Sequence, residues 1–225
     1  MLPVERFVYG PEHEALVVSI ILRNSESLSR SRTGVLDTAV SSAKSIAPQI
    51  DLKELVRENE INAARDMFSA GRRLVALDGD RLYDYLLSIV RGVNQGIVPA
   101  DRLFRSWSIP YHEVDIPPTE VPDRLREFCR WISASTELLR ADPPIVAGEV
   151  EWQLNAGPLH PFYDGCGRVS RLFSAFLLVN NHCLLPLYES RASYFRAAQL
   201  GVAQFVPYVR SAIRKCRHAI ETARR

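Results

Sequence analysis

His160-Pro161-Phe162-Tyr163-Asp164-Gly165-Cys166-Gly167-Arg168-Val169-Ser170-Arg171 brings a histidine, a carboxylate, a glycine-rich turn and two arginines together in a short run. Leu172, Phe173, Phe176 and Leu177 follow at helical spacing, which predicts a helix over 167–180 with the polar cluster at its N-terminus. The first amides of a helix have no intrahelical partner and the helix dipole favours negative charge there, so this end is an anion site. Glycines at 165 and 167 let a ligand approach the backbone closely. Arg168 and Arg171, at i and i+3, share a face and can grip successive phosphates with planar donor forks. A diphosphate or triphosphate suits this arrangement. Asp164 is the kind of oxygen ligand Mg²⁺ takes when it also binds phosphate oxygens, and His160 can accept a proton from an attacking hydroxyl.

At these residues the chain resembles the Fic family, whose motif reads His-x-Phe-x-Asp/Glu-Gly-Asn-Gly/Lys-Arg-x-x-Arg. His160, Phe162, Asp164, Gly165, Gly167, Arg168 and Arg171 match it, and Cys166 stands where the family has Asn. The resemblance implies a mainly α fold, a helical bundle with a short β-hairpin flap, and Mg²⁺-dependent transfer of AMP from ATP to a hydroxyl of a protein target. It makes His160 the general base, Asp164 the Mg²⁺ ligand and Phe162 a core anchor. The phosphate cradle would be Gly165, Cys166 and Gly167 with Arg168 and Arg171. Cys166 itself has three readings. Its backbone amide does the work while the thiol packs, or loss of the Asn amide changes the donor or the reaction, or the thiol, near a helix N-terminus and two arginines, is reactive.

The resemblance runs from about residue 82 to 200. Ile116, Pro117, Pro118 and Pro122 look like the family's proline-marked start of a helix, and Asp142-Pro143-Pro144 opens the next, with Asp142 as N-cap and Pro143 at the tolerated first position. The family usually has a His seven residues and a Phe four residues before the catalytic His. Gln153 and Ala156 stand there, followed by Gly157-Pro158, so this helix is expected to end early beside an altered wall. Leu187-Tyr188-Glu189-Ser190-Arg191 and Tyr194-Phe195 resemble the segment that packs beside the nucleotide base. Trp107, Ile109 and Tyr111 alternate with Ser106, Ser108 and His112, and Pro110 removes a donor, which predicts an edge strand. In the family a hairpin flap sits there and holds a target segment by strand addition, so a protein presenting a Ser, Thr or Tyr hydroxyl would dock on 107–111. Many Fic proteins carry an inhibitory helix of the form Ser/Thr-x-x-x-Glu-Gly/Asn. Glu58-Asn59 has that ending, but Glu54 stands in the hydroxyl position.

The rest of the chain reads as an ordinary globular protein. A lone His-Pro-Phe is usually a turn and a lone Arg-x-x-Arg a solvated helix face; it is their joint register with Asp-Gly-x-Gly that points to a site. At 225 residues, 47% hydrophobic and 24% charged, the chain can bury a sizeable core, and a net charge of +2 gives no reason to expect nucleic acid as partner. No apolar run reaches a membrane span, and 15–22 follows Glu12, His13 and Glu14 rather than a basic region, so neither a membrane segment nor a signal peptide is expected. Cys129, Cys166, Cys183 and Cys216 lack metal-type spacing and read as free thiols of a reducing, cytoplasmic protein. Helical spacing marks 11–22, 52–77, 81–91, 123–133, 143–155, 167–180 and 208–223, with a Ser-rich linker at 24–33. The basic residues Arg210, Arg214, Lys215, Arg217, His218, Arg224 and Arg225 read as a solvated helix side. These boundaries suggest an N-terminal helical extension (1–50), a catalytic core (51–200) and a C-terminal helix (201–225). Two rival functions share the fold: transfer from another donor or to a small-molecule acceptor, and nucleotide binding without turnover.

Overall fold

The computed structural model describes residues 6–28, 51–73, 78–109 and 116–223. Among these the fold is mainly helical. After a 3-10 turn (Pro11–His13) come α1 (Glu14–Leu28), α2 (Leu52–Arg73), α3 (Gly79–Val93), α4 (Val121–Ala134), α5 (Thr136–Ala141), α6 (Pro143–Asn155), α7 (Cys166–Asn180), α8 (Arg191–Gln199) and α9 (Val202–Ala223).

Helix α7 is the centre of the bundle because it is apolar on every side. Val169, Leu172, Phe173, Phe176, Leu177, Leu178 and Val179 are all buried, and a helix hydrophobic all round has to be covered by its neighbours. It packs chiefly on α6 and α2, with α3 and α1 completing the cover, while α9 lies against the far side of α6. One apolar core runs from Tyr9 and Val17 through α7 to Phe205, Val209 and Cys216. The central helix therefore presents its N-terminal turn from a rigid base.

Several local rules set the boundaries. Asp78 caps α3, accepting from Arg81 N at 2.8 Å, and Ser190 caps α8, accepting from Ser193 N at 3.2 Å. Pro143 occupies the first position of α6 as expected, but Asp142 does not cap it: its carboxylate pairs with Arg210 of α9 instead. Two members of the basic cluster are thus engaged, Arg210 with Asp142 and Lys215 with Glu189, and the face is not simply solvated; Arg224 and Arg225 lie outside the described residues. The expected linker is overturned at its start, since α1 continues to Leu28. Asn24 is buried there and ties the helix to the 184–190 segment, donating to Pro186 O at 2.8 Å and accepting from Tyr188 N at 3.0 Å. Residues 29–33 of that linker lie outside the described ones.

No β-hairpin is found among the described residues of the flap. What remains is one antiparallel bridge between Phe104 and Phe162, flanked by Arg105 N donating to Pro161 O (3.0 Å) and Tyr163 N donating to Leu103 O (3.0 Å). Arg105 is buried beside it, and its guanidinium donates to Trp107 O and, at 2.7 Å, to Ile116 O. Residues 110–115, Tyr111 included, lie outside the described ones. No helix among the described residues is long and apolar enough to cross a membrane.

Candidate active site at the N-terminus of the central helix

Gly165 starts α7 from the left-handed region (φ 79°), where a Cβ would be strained and would stand 3.0 Å from Asn94 Oδ1. No side chain caps the helix, so its first amides are left for an outside acceptor. Gly167 sits in a crowded spot. A Cβ there would meet Arg171 Nη1 and Asn155 Oδ1, each at 3.2 Å.

The two arginines face different neighbours. Arg168 meets Asp164 Oδ2 at 3.2 Å and reaches Val93 O and Asn94 Oδ1 at the end of α3, both at 3.4 Å, while Asn94 Nδ2 donates to Asp164 O at 3.1 Å. Burial pushes the Arg168 pKa down, with Asp164 and Glu60 acting the other way. Arg171 instead donates from Nη2 to Ser25 Oγ of α1 at 2.9 Å, and Ser25 donates in turn to Glu60 of α2. Arg171 Nε is buried without a hydrogen-bond partner, an expensive state that a bound acceptor would relieve. The sequence pattern did not show that Ser25 and Glu60 belong to the site, because they come from two other helices. Glu58 and Asn59, the nearest match to an inhibitory segment, are placed differently: Asn59 donates to Gln95 O at 2.7 Å.

His160 sits half-buried just after α6, at a φ of 24°, a sparsely populated backbone state for a non-glycine residue. Its amide donates to Gln153 O at 3.0 Å. Its Nδ1 lies 2.7 Å from Asn155 O. A carbonyl only accepts, so Nδ1 carries the proton and Nε2 is the basic nitrogen of the neutral ring. As expected, α6 ends at Asn155, five residues before the histidine, and it is this early end that makes the Asn155 carbonyl available.

Cys166 is buried and its Sγ lies 3.5 Å from Phe162 O. Burial pushes its pKa up to about 12, the opposite of what a reactive thiol needs, and the other three cysteines are buried and free as well. Phe162 is buried as the anchor, stacked on Phe104 at 6.3 Å. Behind the site Glu151 of α6 is fully buried and accepts from Tyr188 Oη (2.7 Å) and Tyr194 Oη (2.9 Å). These two tyrosines, expected beside a nucleotide base, turn their hydroxyls inward, and both rings are buried. Phe195 packs under the Arg191 guanidinium at 4.6 Å.

The carboxylate at this helix end is Asp164, and no group of three or more His, Cys, Asp or Glu among the described residues could hold a metal. One carboxylate fits Mg²⁺ only in the manner Mg²⁺ favours, with phosphate oxygens and water completing the octahedron.

No protein-family model matches the chain. Solved structures do match it. A Fic domain-containing signaling protein from Bacteroides thetaiotaomicron superposes with a TM-score of 0.61 at 14% identity, covering 91% of this chain and 87% of that one. The fold is that of a Fic domain. Fic-1 from C. elegans matches at a TM-score of 0.58 and 22% identity over 93% of this chain, which spans 63% of that longer one. IbpAFic2 in complex with adenylylated Cdc42 matches at 0.54 and 13%, covering 92% and 71%. Within the Fic fold His160, Gly165, Gly167 and Arg171 come together around the start of α7, and Asp164 and Arg168 form a pair at its edge facing α3.

Proposed function

We propose that the chain is a Fic-type transferase that moves AMP from ATP to a Ser, Thr or Tyr hydroxyl of a protein target. The observation that carries this reading is the pairing of a histidine held in the Nδ1–H form with an uncapped helix N-terminus beside the unsatisfied Arg171 Nε. In this reading His160 Nε2 takes the proton of the attacking hydroxyl as its oxygen bonds to the α-phosphorus. The bond from that phosphorus to the bridging oxygen breaks, and pyrophosphate leaves. The amides of Gly165, Cys166 and Gly167 and the Arg171 guanidinium hold the phosphate oxygens, which carry the charge that builds up. Asp164 would hold Mg²⁺, whose charge would neutralise the phosphates when bound. Arg168, ion-paired to Asp164, fixes that carboxylate and lies within one turn of the cradle. The target would lie along 107–111, whose start is anchored by Arg105 to the strand-like 161–163 segment; the adenylylated Cdc42 held by IbpAFic2 supports a protein acceptor.

A second reading, transfer from a different donor, is favoured by Cys166. Its thiol turns inward to Phe162 O and offers a nucleotide no side-chain group. Incubating the chain with Mg²⁺ and each nucleoside triphosphate in the presence of candidate proteins separates these readings. A gain of one AMP by intact mass with release of pyrophosphate is expected with ATP. A different adduct with another nucleotide would favour the second reading, and saturable binding without any adduct or pyrophosphate would leave a nucleotide-binding module.

A further inference from the structure

Helix α6 carries Glu151 and Asn155 one turn apart, on the side that meets α8. Glu151 is fully buried, and its two oxygens accept from Tyr188 and Tyr194. Tyr194 Oη spends its proton on Glu151 and therefore accepts from Asn155 Nδ2, 3.0 Å away. This assigns the Asn155 amide without ambiguity: Nδ2 faces Tyr194, and Oδ1 is the oxygen that faces Gly167. There Asn155 Oδ1 and Arg171 Nη1 both lie 3.2 Å from the point a Gly167 Cβ would occupy, on the cradle side of the first turn of α7. The backbone of the same residue accepts from His160 Nδ1.

We infer that Asn155 is a positioning residue that serves the base and the phosphate cradle at once, anchored through Tyr194 to the buried Glu151. The inference rests on the transferase reading for its purpose but not for its geometry. The last carbonyls of a helix have no intrahelical partner and fray unless something holds the final turn. Here the bridge Asn155–Tyr194–Glu151 closes that turn from outside, linking two positions of α6 through one residue of α8, and the Asn155 carbonyl is held where it keeps the proton on His160 Nδ1. On its other side Oδ1 and Arg171 Nη1 both border Gly167, beside the uncapped amides. The amide missing at Cys166 is thereby matched by one reaching the same turn from the end of α6. Gly167 is the residue that leaves room for it.

The test uses the full chain in two variants, Tyr194→Phe, which removes one oxygen, and Asn155→Ala. Nitrogen-15 NMR of the imidazoles, with His160 assigned by the signals lost in His160→Gln, reads the tautomer directly. The wild-type ring should show a protonated Nδ1 when neutral, and both variants should show averaged, exchanging tautomers. Calorimetry with inorganic tripolyphosphate should show binding weakened about three- to tenfold in Asn155→Ala, as losing the Tyr194 hydrogen bond frees the last turn of α6 beside Gly167 and loosens the cradle. A wild-type ring protonated on Nε2, or variants that keep the wild-type tautomer and tripolyphosphate affinity, would overturn the inference. Should Tyr194→Phe fail to fold by near-ultraviolet circular dichroism, Asn155→Ala, at a half-buried site, carries both measurements. A wild-type protein that transfers no AMP would sink the transferase reading and leave the tautomer result standing. Active variants with an unchanged tautomer would sink only the positioning role.

Discussion

At the scale of single residues, the site separates two jobs. His160 is held through Nδ1 by the Asn155 carbonyl, and in the proposed reaction its job is proton transfer rather than phosphate binding. His160→Ala should lower turnover by roughly 10²-fold or more, the usual worth of general base catalysis, with nucleotide affinity nearly unchanged by calorimetry. Equal losses in both would make the histidine structural. Arg171 has the opposite profile, since one of its nitrogens is buried without a partner. Arg171→Ala should weaken triphosphate binding by about 1.5–3 kcal/mol, the range for hydrogen bonds to charged groups, and weaken monophosphate binding less. Identical losses for the two ligands would remove Arg171 from the distal phosphates. At Cys166 burial argues against a reactive thiol. With its pKa pushed up to about 12, it should react with iodoacetamide no faster than Cys129, Cys183 and Cys216 across neutral pH, and site-resolved labelling against pH checks this. Cys166→Asn should be tolerated and keep or raise AMP transfer, because the backbone amide of the cradle is untouched.

At the scale of elements, the central helix and its glycine were legible because their signals are local. Gly165 takes a positive φ in the turn that opens α7, whose first amides no side chain caps. Gly165→Ala should cost about 1–2 kcal/mol from left-handed strain alone, more with the contact at Asn94 Oδ1, and urea unfolding would read it. Helices α2, α3, α4 and α6 were likewise written in apolar spacing, and α6 was correctly expected to stop near Ala156–Gly157. What escaped is what depends on partners far along the chain. Helix α5 is a six-residue piece, too short to show a period, and α8 is a nine-residue piece that buries only Tyr194 and Ala198. Helix α9 starts at Val202, six residues before the expected start, and Pro207, which reads as a breaker, lies inside it. Over 106–109 no strand forms although the alternation there is real; the buried Arg105 donates to Trp107 O and Ile116 O, and nothing in a period of two announces a buried guanidinium. Within the site, His160, Asp164 and the arginines were readable from the motif, whereas Ser25, Glu60, Asn94 and Asn155 reach it only through packing.

At the scale of the whole molecule, one buried carboxylate joins three parts of the chain and through two tyrosine rings reaches α9. Glu151 of α6 holds Tyr188 of the segment after α7 and Tyr194 of α8, and these rings pack on Phe205 and Tyr208 of α9. Burial raises the Glu151 pKa; the Tyr188 hydroxyl, the nearby Arg171 charge and the Tyr194 hydroxyl pull it back without cancelling the rise. The consequence for stability has a definite sign. A carboxyl whose folded pKa lies above its unfolded value favours folding most while it is protonated in both states, below the unfolded value of 4.5, and that contribution falls as pH rises through the folded pKa. Glu151→Gln, which cannot ionise, abolishes the dependence while keeping the shape and one acceptor. The stability of the wild-type protein relative to Glu151→Gln should therefore decline from pH 4 upward and level off once the folded carboxyl has ionised, measured by urea unfolding at fixed salt. A difference that stays constant with pH would mean that Glu151 ionises in the fold as readily as in the unfolded chain, and that the two tyrosines and Arg171 fully offset its burial.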